Sequence, residues 1–223
     1  MKKFDFYEFA GILCPGALLV LVLARMFPEL AFIGNKENFS FGDLGIFVVL
    51  SYVAGELVHA VGNGIEKLCW GLWSGLPSDW VRSGKHDLIS KQQKNQLGDK
   101  LAELTNIELP GGIHGLTQKA WYAITRQMYA VVRYAGRSSR IDVFNGYYGM
   151  FRGLAASLLV VIGVSILQRG WAHPRFYIFF GIALILALIR MHRFGVNYAR
   201  ELLVEFLATQ KTDKPVSAPK EGE

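Results

Sequence analysis

Glu56, His59, Asn63 and Glu66 are spaced i, i+3, i+7 and i+10, within and just beyond the otherwise apolar run LGIFVVLSYVAGELVHAVGNG that starts at Leu44. On a helix this spacing places all four on one face. If the run crosses a bilayer from about Ile46 to Ile65, Glu56 is near the hydrocarbon centre, where a charge is costly unless paired, hydrated or protonated. The face must then look toward another helix, another subunit or water. Three chemistries fit it. The side chains could hydrogen-bond one another and a neighbouring helix, fixing packing. They could line a pore or proton path through Glu56, His59 and Asn63. They could also belong to a metal or catalytic site, since Glu-x-x-His is the ligand pair of di-iron bundles. That third arrangement needs further carboxylates on facing helices, and no other apolar run carries one at matching depth. No metal, cofactor or catalytic residue is therefore expected.

A second group of functional candidates is basic. Thr117 opens a helical pattern running to about Tyr134, with Trp121, Ile124, Met128 and Val131 on one face and Lys119, Arg126 and Arg133 on others. Arg137 and Arg140 follow. A basic amphipathic helix beside a membrane lies against anionic headgroups, or presents a site for an acidic protein segment or a nucleotide.

The elements that must carry these residues are membrane spans. Of the 223 residues, 52% are hydrophobic and 19% charged, and the mean hydropathy of +0.26 is high for a soluble domain. That composition excludes disordered and collagen-like classes, and the cysteines, Cys14 and Cys69, are too few for a disulfide scaffold or a four-cysteine metal site. Apolar runs extend from Phe9 to Phe27, from Leu44 to Gly64, between Arg152 and Arg169, and between Arg175 and Arg190. Each approaches the roughly 20 residues that a bilayer requires, and the short last two call for snorkelling arginines. The first is expected to be retained: Asp5 and Glu8 precede it and no small-x-small cleavage site follows.

Lys and Arg number 24 against 18 Asp and Glu. With a cytoplasmic N-terminus, the outer loops hold only Lys36, Arg169 and Arg175, and Arg25 ends the first span. This positive-inside pattern places both termini in the cytoplasm and attributes the basic balance to topology, not to nucleic-acid binding.

The expected architecture is all-α. Residues 1–64 form the first transmembrane pair and 65–150 a cytoplasmic helical module. Residues 151–208 form the second pair with a cytoplasmic extension, and 209–223 a disordered tail. Within the module, the polar stretch from Lys85 to Leu104 carries a thin stripe of Leu88, Leu97, Leu101 and Leu104, and Pro110-Gly111-Gly112 marks a turn. Trp70, Trp73 and Trp80 fall where an interfacial aromatic belt belongs. Gly11, Gly16, Gly55, Gly62, Gly153, Ala156 and Ser157 allow close helix approach, within one chain or between copies, and Pro15 can kink the first span. Arg152, at the depth where Glu66 or Asn63 emerges, is expected to bridge to Glu66 or to contact a lipid phosphate. No Walker loop, dinucleotide fingerprint, nucleophile elbow or His-Glu-x-x-His is present, so a soluble-type enzyme is not indicated.

Phe6-Tyr7-Glu8-Phe9-Ala10-Gly11 followed by Pro15-Gly16, the segment Tyr52-Val53-Ala54-Gly55-Glu56, and an arginine opening the third span together resemble small four-span proteins encoded with bacterial anti-phage systems. The resemblance implies a membrane effector or sensor that perturbs the inner membrane when a cytoplasmic partner signals infection. It assigns no functional residue. The reading that follows is a regulated homo-oligomeric pore in contact with membrane lipids, responding to a cytoplasmic protein or nucleotide. The alternative is a non-conducting scaffold that anchors a cytoplasmic partner.

Overall fold

The computed structural model describes residues 6–33, 41–105, 112–169 and 174–209. Among these the chain is helical, without strands: α1 (Phe6–Met26), α2 (Phe41–Leu72), α3 (Pro77–Ser83), α4 (Lys91–Thr105), α5 (Gln118–Tyr134), α6 (Ser139–Arg169) and α7 (Pro174–Ala208), with 3-10 turns at Pro28–Ile33 and Gly112–Gly115. Helices α2, α6 and α7 are long and apolar enough to cross a membrane, and α1 is a shorter apolar helix. At 32 residues, α2 is about 48 Å long, well beyond a bilayer's hydrocarbon thickness. Residues 210–223 of the tail expected to be disordered, the outer-loop Lys36, and Pro110-Gly111 lie outside the described residues; Thr209, expected to open that tail, is instead buried and bonded to Lys100.

The chain divides into two compact units, Met1–Leu76 with Ile141–Tyr198, and Pro77–Arg140 with Ala199–Glu223. In the first, α1 and α2 meet backbone to backbone. A methyl group on Gly16 would run into the Ser51 carbonyl, and one on Gly55 into the Ile12 carbonyl, so glycine at both positions is what lets the axes approach this closely. On the α6 side of α1 the Pro15 ring fills the notch left by Gly153, whose missing methyl would be 2.7 Å from Pro15 Cγ. Ser157 donates from Oγ to the Pro15 carbonyl at 2.8 Å. Leu19, Val58, Ala156 and Val161 close the apolar interior. The outer surfaces are the greasy ones: Leu57, Ile178, Phe179, Leu186 and Ile189 are all exposed, Phe179 by 67%. That inversion suits a lipid solvent.

The second unit buries large side chains. Leu97, Leu101, Met128 and Val132 have no exposed surface, and Trp121, Leu203 and Phe206 almost none. Helix α4 starts where Ser90 Oγ accepts from the Gln93 amide at 3.2 Å while Gln93 Oε1 accepts from the Ser90 amide at 2.9 Å. This reciprocal cap satisfies two donors that a helix start leaves open. Thr117 caps α5 through the Ala120 amide, and just past its last residue, Tyr134, Gly136 takes a φ of 72° that permits bonds from the Gly136 and Arg137 amides back to Arg133 and Val132. On the buried face of α5 stand Trp121, Ile124, Met128 and Val132, with Val132 taking the place expected of Val131. Trp121 Nε1 donates to the Ser78 carbonyl at 2.7 Å, so its polar edge is satisfied in the core.

Lys100 holds the end of α7. Its Nζ donates to the Phe206 carbonyl at 2.6 Å and to Thr209 Oγ1 at 2.7 Å, with the Thr209 carbonyl as a further acceptor. A cation at a helix C-terminus satisfies carbonyls with no intrahelical partner and opposes their negative dipole. Burial lowers the pKa of this ammonium from the usual lysine value.

Candidate functional site

The polar face expected along α2 divides in two. His59 and Glu66 turn inward and are partly buried, whereas Glu56 and Asn63 are exposed on the outer side. The four residues span an arc of only about 80°, so the edge of the helix contact falls through the middle of the row. Among the described residues Glu56 has no ion-pair partner. Tyr52, 42% exposed, is on the same outer strip. Farther round, Leu57, Val61 and Leu68 give α2 a purely apolar strip.

The inner half belongs to a network joining three helices. Arg152 of α6 forms an ion pair from Nη1 to Glu66 Oε2, and its Nη2 reaches His59 Nδ1 at 3.4 Å. His59 Nε2 faces the Gly11 carbonyl of α1 at 3.2 Å. That carbonyl is available because Pro15, four residues on, has no N–H to bond it. Beyond Glu66, the Tyr148 hydroxyl bonds the carboxylate and accepts from Trp70 Nε1 at 2.7 Å. Gly62 gives the aliphatic part of Arg152 room to cross α2, since a methyl group there would be 3.2 Å from Arg152 Cγ. The buried Arg152 Nε is left without a bond. Arginine suits this position because its fork serves Glu66 and His59 at once.

The tryptophans separate. Trp70 and Trp73 pack on His192 of α7, with ring centroids 5.4 Å and 4.8 Å away, and Trp70 fits over Gly195. Trp80 is buried in the second unit against His86, centroids 4.4 Å apart. Ring stacking in the first unit continues through Tyr147 and Phe151 on Phe194, with the Arg190 guanidinium 4.8 Å from that ring.

Of the basic candidates, Arg137 pairs with Glu205 at 2.7 Å and Arg140 with Glu201 at 3.0 Å. Lys119, Arg126 and Arg133 are exposed and recur every seven residues, which lines them up along α5. That helix contains no acidic residue. Among the described residues no three His, Cys, Asp or Glu side chains gather as a metal site would require.

Sequence reasoning missed the Gly11–His59 contact. A proline inside an apolar helix signals a free carbonyl four residues earlier, and that was the available clue. Compared with protein-family models, curated proteins and solved structures, the chain matches none.

Proposed function

We propose that this protein is a homo-oligomeric membrane pore or membrane-perturbing effector, with the outer strip of α2, Glu56 and Asn63, meeting its counterpart in a second copy around a hydrated path. One observation carries the reading: Glu56, a carboxylate halfway along an apolar helix, is exposed and has no ion-pair partner among the described residues. In hydrocarbon that arrangement costs several kcal/mol, and either a second copy or water removes the cost. In this reading α1 joins α2, α6 and α7 as a fourth span. Both termini and the 65–150 segment are on the cytoplasmic side of a bacterial inner membrane, following the distribution of Lys and Arg. Service in anti-phage defence rests on the resemblance alone.

The deciding experiment is ion flux through liposomes containing the purified full-length chain, comparing wild type with Glu56→Gln at matched incorporation. The pore reading expects flux whose size or cation selectivity the substitution changes. Flux that ignores the substitution removes Glu56 from the path. A second reading, a non-conducting scaffold that holds an acidic cytoplasmic partner, is favoured by the acid-free row Lys119, Arg126 and Arg133. It expects silence in both proteins.

A further inference from the structure

Helix α5 has two faces with opposite duties. Trp121, Ile124, Met128 and Val132 are buried in the core of their own unit. On the other side Lys119, Ala123, Arg126, Ala130 and Arg133 are exposed, at intervals of four, three, four and three residues. That is the rhythm of a seam along which one helix packs on another. Cations take one position of the repeat and alanines the other. Successive cations are about 10.5 Å apart along the axis, so the row is about 21 Å long. Among the described residues none of the three is ion-paired. Tyr122, 61% exposed, and Tyr134, 88% exposed, flank the row on opposite sides.

Three anionic partners compete for such a row, and the neighbours of the cations choose between them. A helix that lies on a membrane inserts bulky apolar side chains beside its cations. Those of α5 are committed to the core, and its exposed face holds no Leu, Ile, Val, Phe or Trp. A nucleotide is too short to engage cations spread over about 21 Å. An acidic helix fits both features: carboxylates on every seventh residue recur at the interval of the cations, and the alanines leave room for its backbone to come close. The same unit already shows the pairing, since Arg137 and Arg140 bond Glu205 and Glu201, carboxylates one turn apart on α7. We propose that this face of α5 seats an acidic α-helix of a partner protein. Its carboxylates stand opposite Lys119, Arg126 and Arg133, its backbone lies over Ala123 and Ala130, and the rings of Tyr122 and Tyr134 hold its edges. The inference rests on the partner-binding reading and gives that partner a shape; whether the chain conducts does not enter it.

The test uses the full-length chain in nanodiscs of zwitterionic lipid and three fluorescent peptides of equal length and charge. The first is helical with three glutamates at seven-residue intervals, the second is helical with its glutamates spread around the circumference, and the third is the first with a central proline that breaks the helix. Expected is binding of the first about tenfold tighter than of either other, weakening as salt is raised. Arg126→Gln, at the middle of the row, should weaken it about threefold, and Lys119→Gln, Arg126→Gln and Arg133→Gln together should remove it. Ala130→Trp keeps every charge but fills the seam, and should weaken the first peptide about tenfold. All four positions are exposed, so the fold survives these changes. Equal binding of the three peptides, or indifference to Ala130→Trp, keeps an acidic partner and overturns the helical seat. Binding of no peptide overturns the seat and the partner reading together, as does binding of phosphatidylserine vesicles alone, tightened by Ala130→Trp.

Discussion

In the unit built on α1, α2, most of α6 and the first part of α7, the residues with no exposed surface include Ser51, Ala155, Ala156 and Ser157. In the unit of α3, α4, α5 and the end of α7 they are Leu97, Leu101, Met128 and Val132, with Trp121 and Phe206 close behind. The first unit buries small side chains at its closest helix contacts, beside larger ones such as Val161 and Met191, and leaves Leu57, Ile178, Phe179 and Leu186 exposed. Among the described residues, the side chains of the second unit with no exposed surface are all large. On the proposed topology, with the first unit in lipid and the second in water, the difference follows from the solvent each surface meets. Between helices in lipid there is no hydrophobic gain, so affinity comes from close backbone approach and from polar bonds. In water a helix must bury an apolar stripe against bulk. A polar network joins three helices inside the first unit, while the core of the second holds isolated polar bonds such as that from Trp121 Nε1 to the Ser78 carbonyl.

The sharpest way to break the comparison is at the smallest buried residues. Gly16→Ala should cost about 3 kcal/mol or more, because the added methyl meets the rigid Ser51 carbonyl, not a movable side chain. Reversible unfolding in mixed detergent would read it. In the second unit the damage should come from removing bulk: Leu101→Ala leaves a cavity and should cost about 3 kcal/mol. If an alanine were harmless at Gly16 and ruinous at exposed Leu186, the assignment of a lipid-facing unit would be wrong. Smaller again is Lys100→Met, which strips the carbonyls at the end of α7 of their cationic donor and should cost about 1–2 kcal/mol in thermal melts. Its pH signature has a definite sign. With the Lys100 pKa lowered from 10.5 by burial, the folded chain binds fewer protons than the unfolded one just below that pH. This group's contribution to stability therefore rises with pH in that window, and Lys100→Met should flatten the rise.

Much of this was legible from residue types. The apolar runs marked α2, α6 and α7, Thr117 marked the start of α5, and the matching depths of Glu66 and Arg152 pointed to their ion pair. The division of the α2 face was not legible, because a periodicity gives the direction of a row but not the width of the neighbour that covers it. Glu56 and His59 are about 60° apart on the wheel, and only the placement of α1 and α6 puts one inside and the other out. The reciprocal Ser90–Gln93 cap was readable as S-x-x-Q, yet the leucine stripe starting at Leu88 obscured it. Trp80 sits close in sequence to Trp70 and Trp73 but buries in the other unit, a distinction composition cannot make.

The most direct test of the central claim is cysteine cross-linking along the outer side of α2 in native membranes, with Cys14 and Cys69 replaced. Ala60 is near Glu56 on the polar strip, whereas Val61 is on the apolar one; both are exposed. Ala60→Cys should form a disulfide between two copies, and Val61→Cys, facing lipid, should not. Cross-linking at Val61 with none at Ala60 would contradict the account, leaving Glu56 without the second copy that the pore requires.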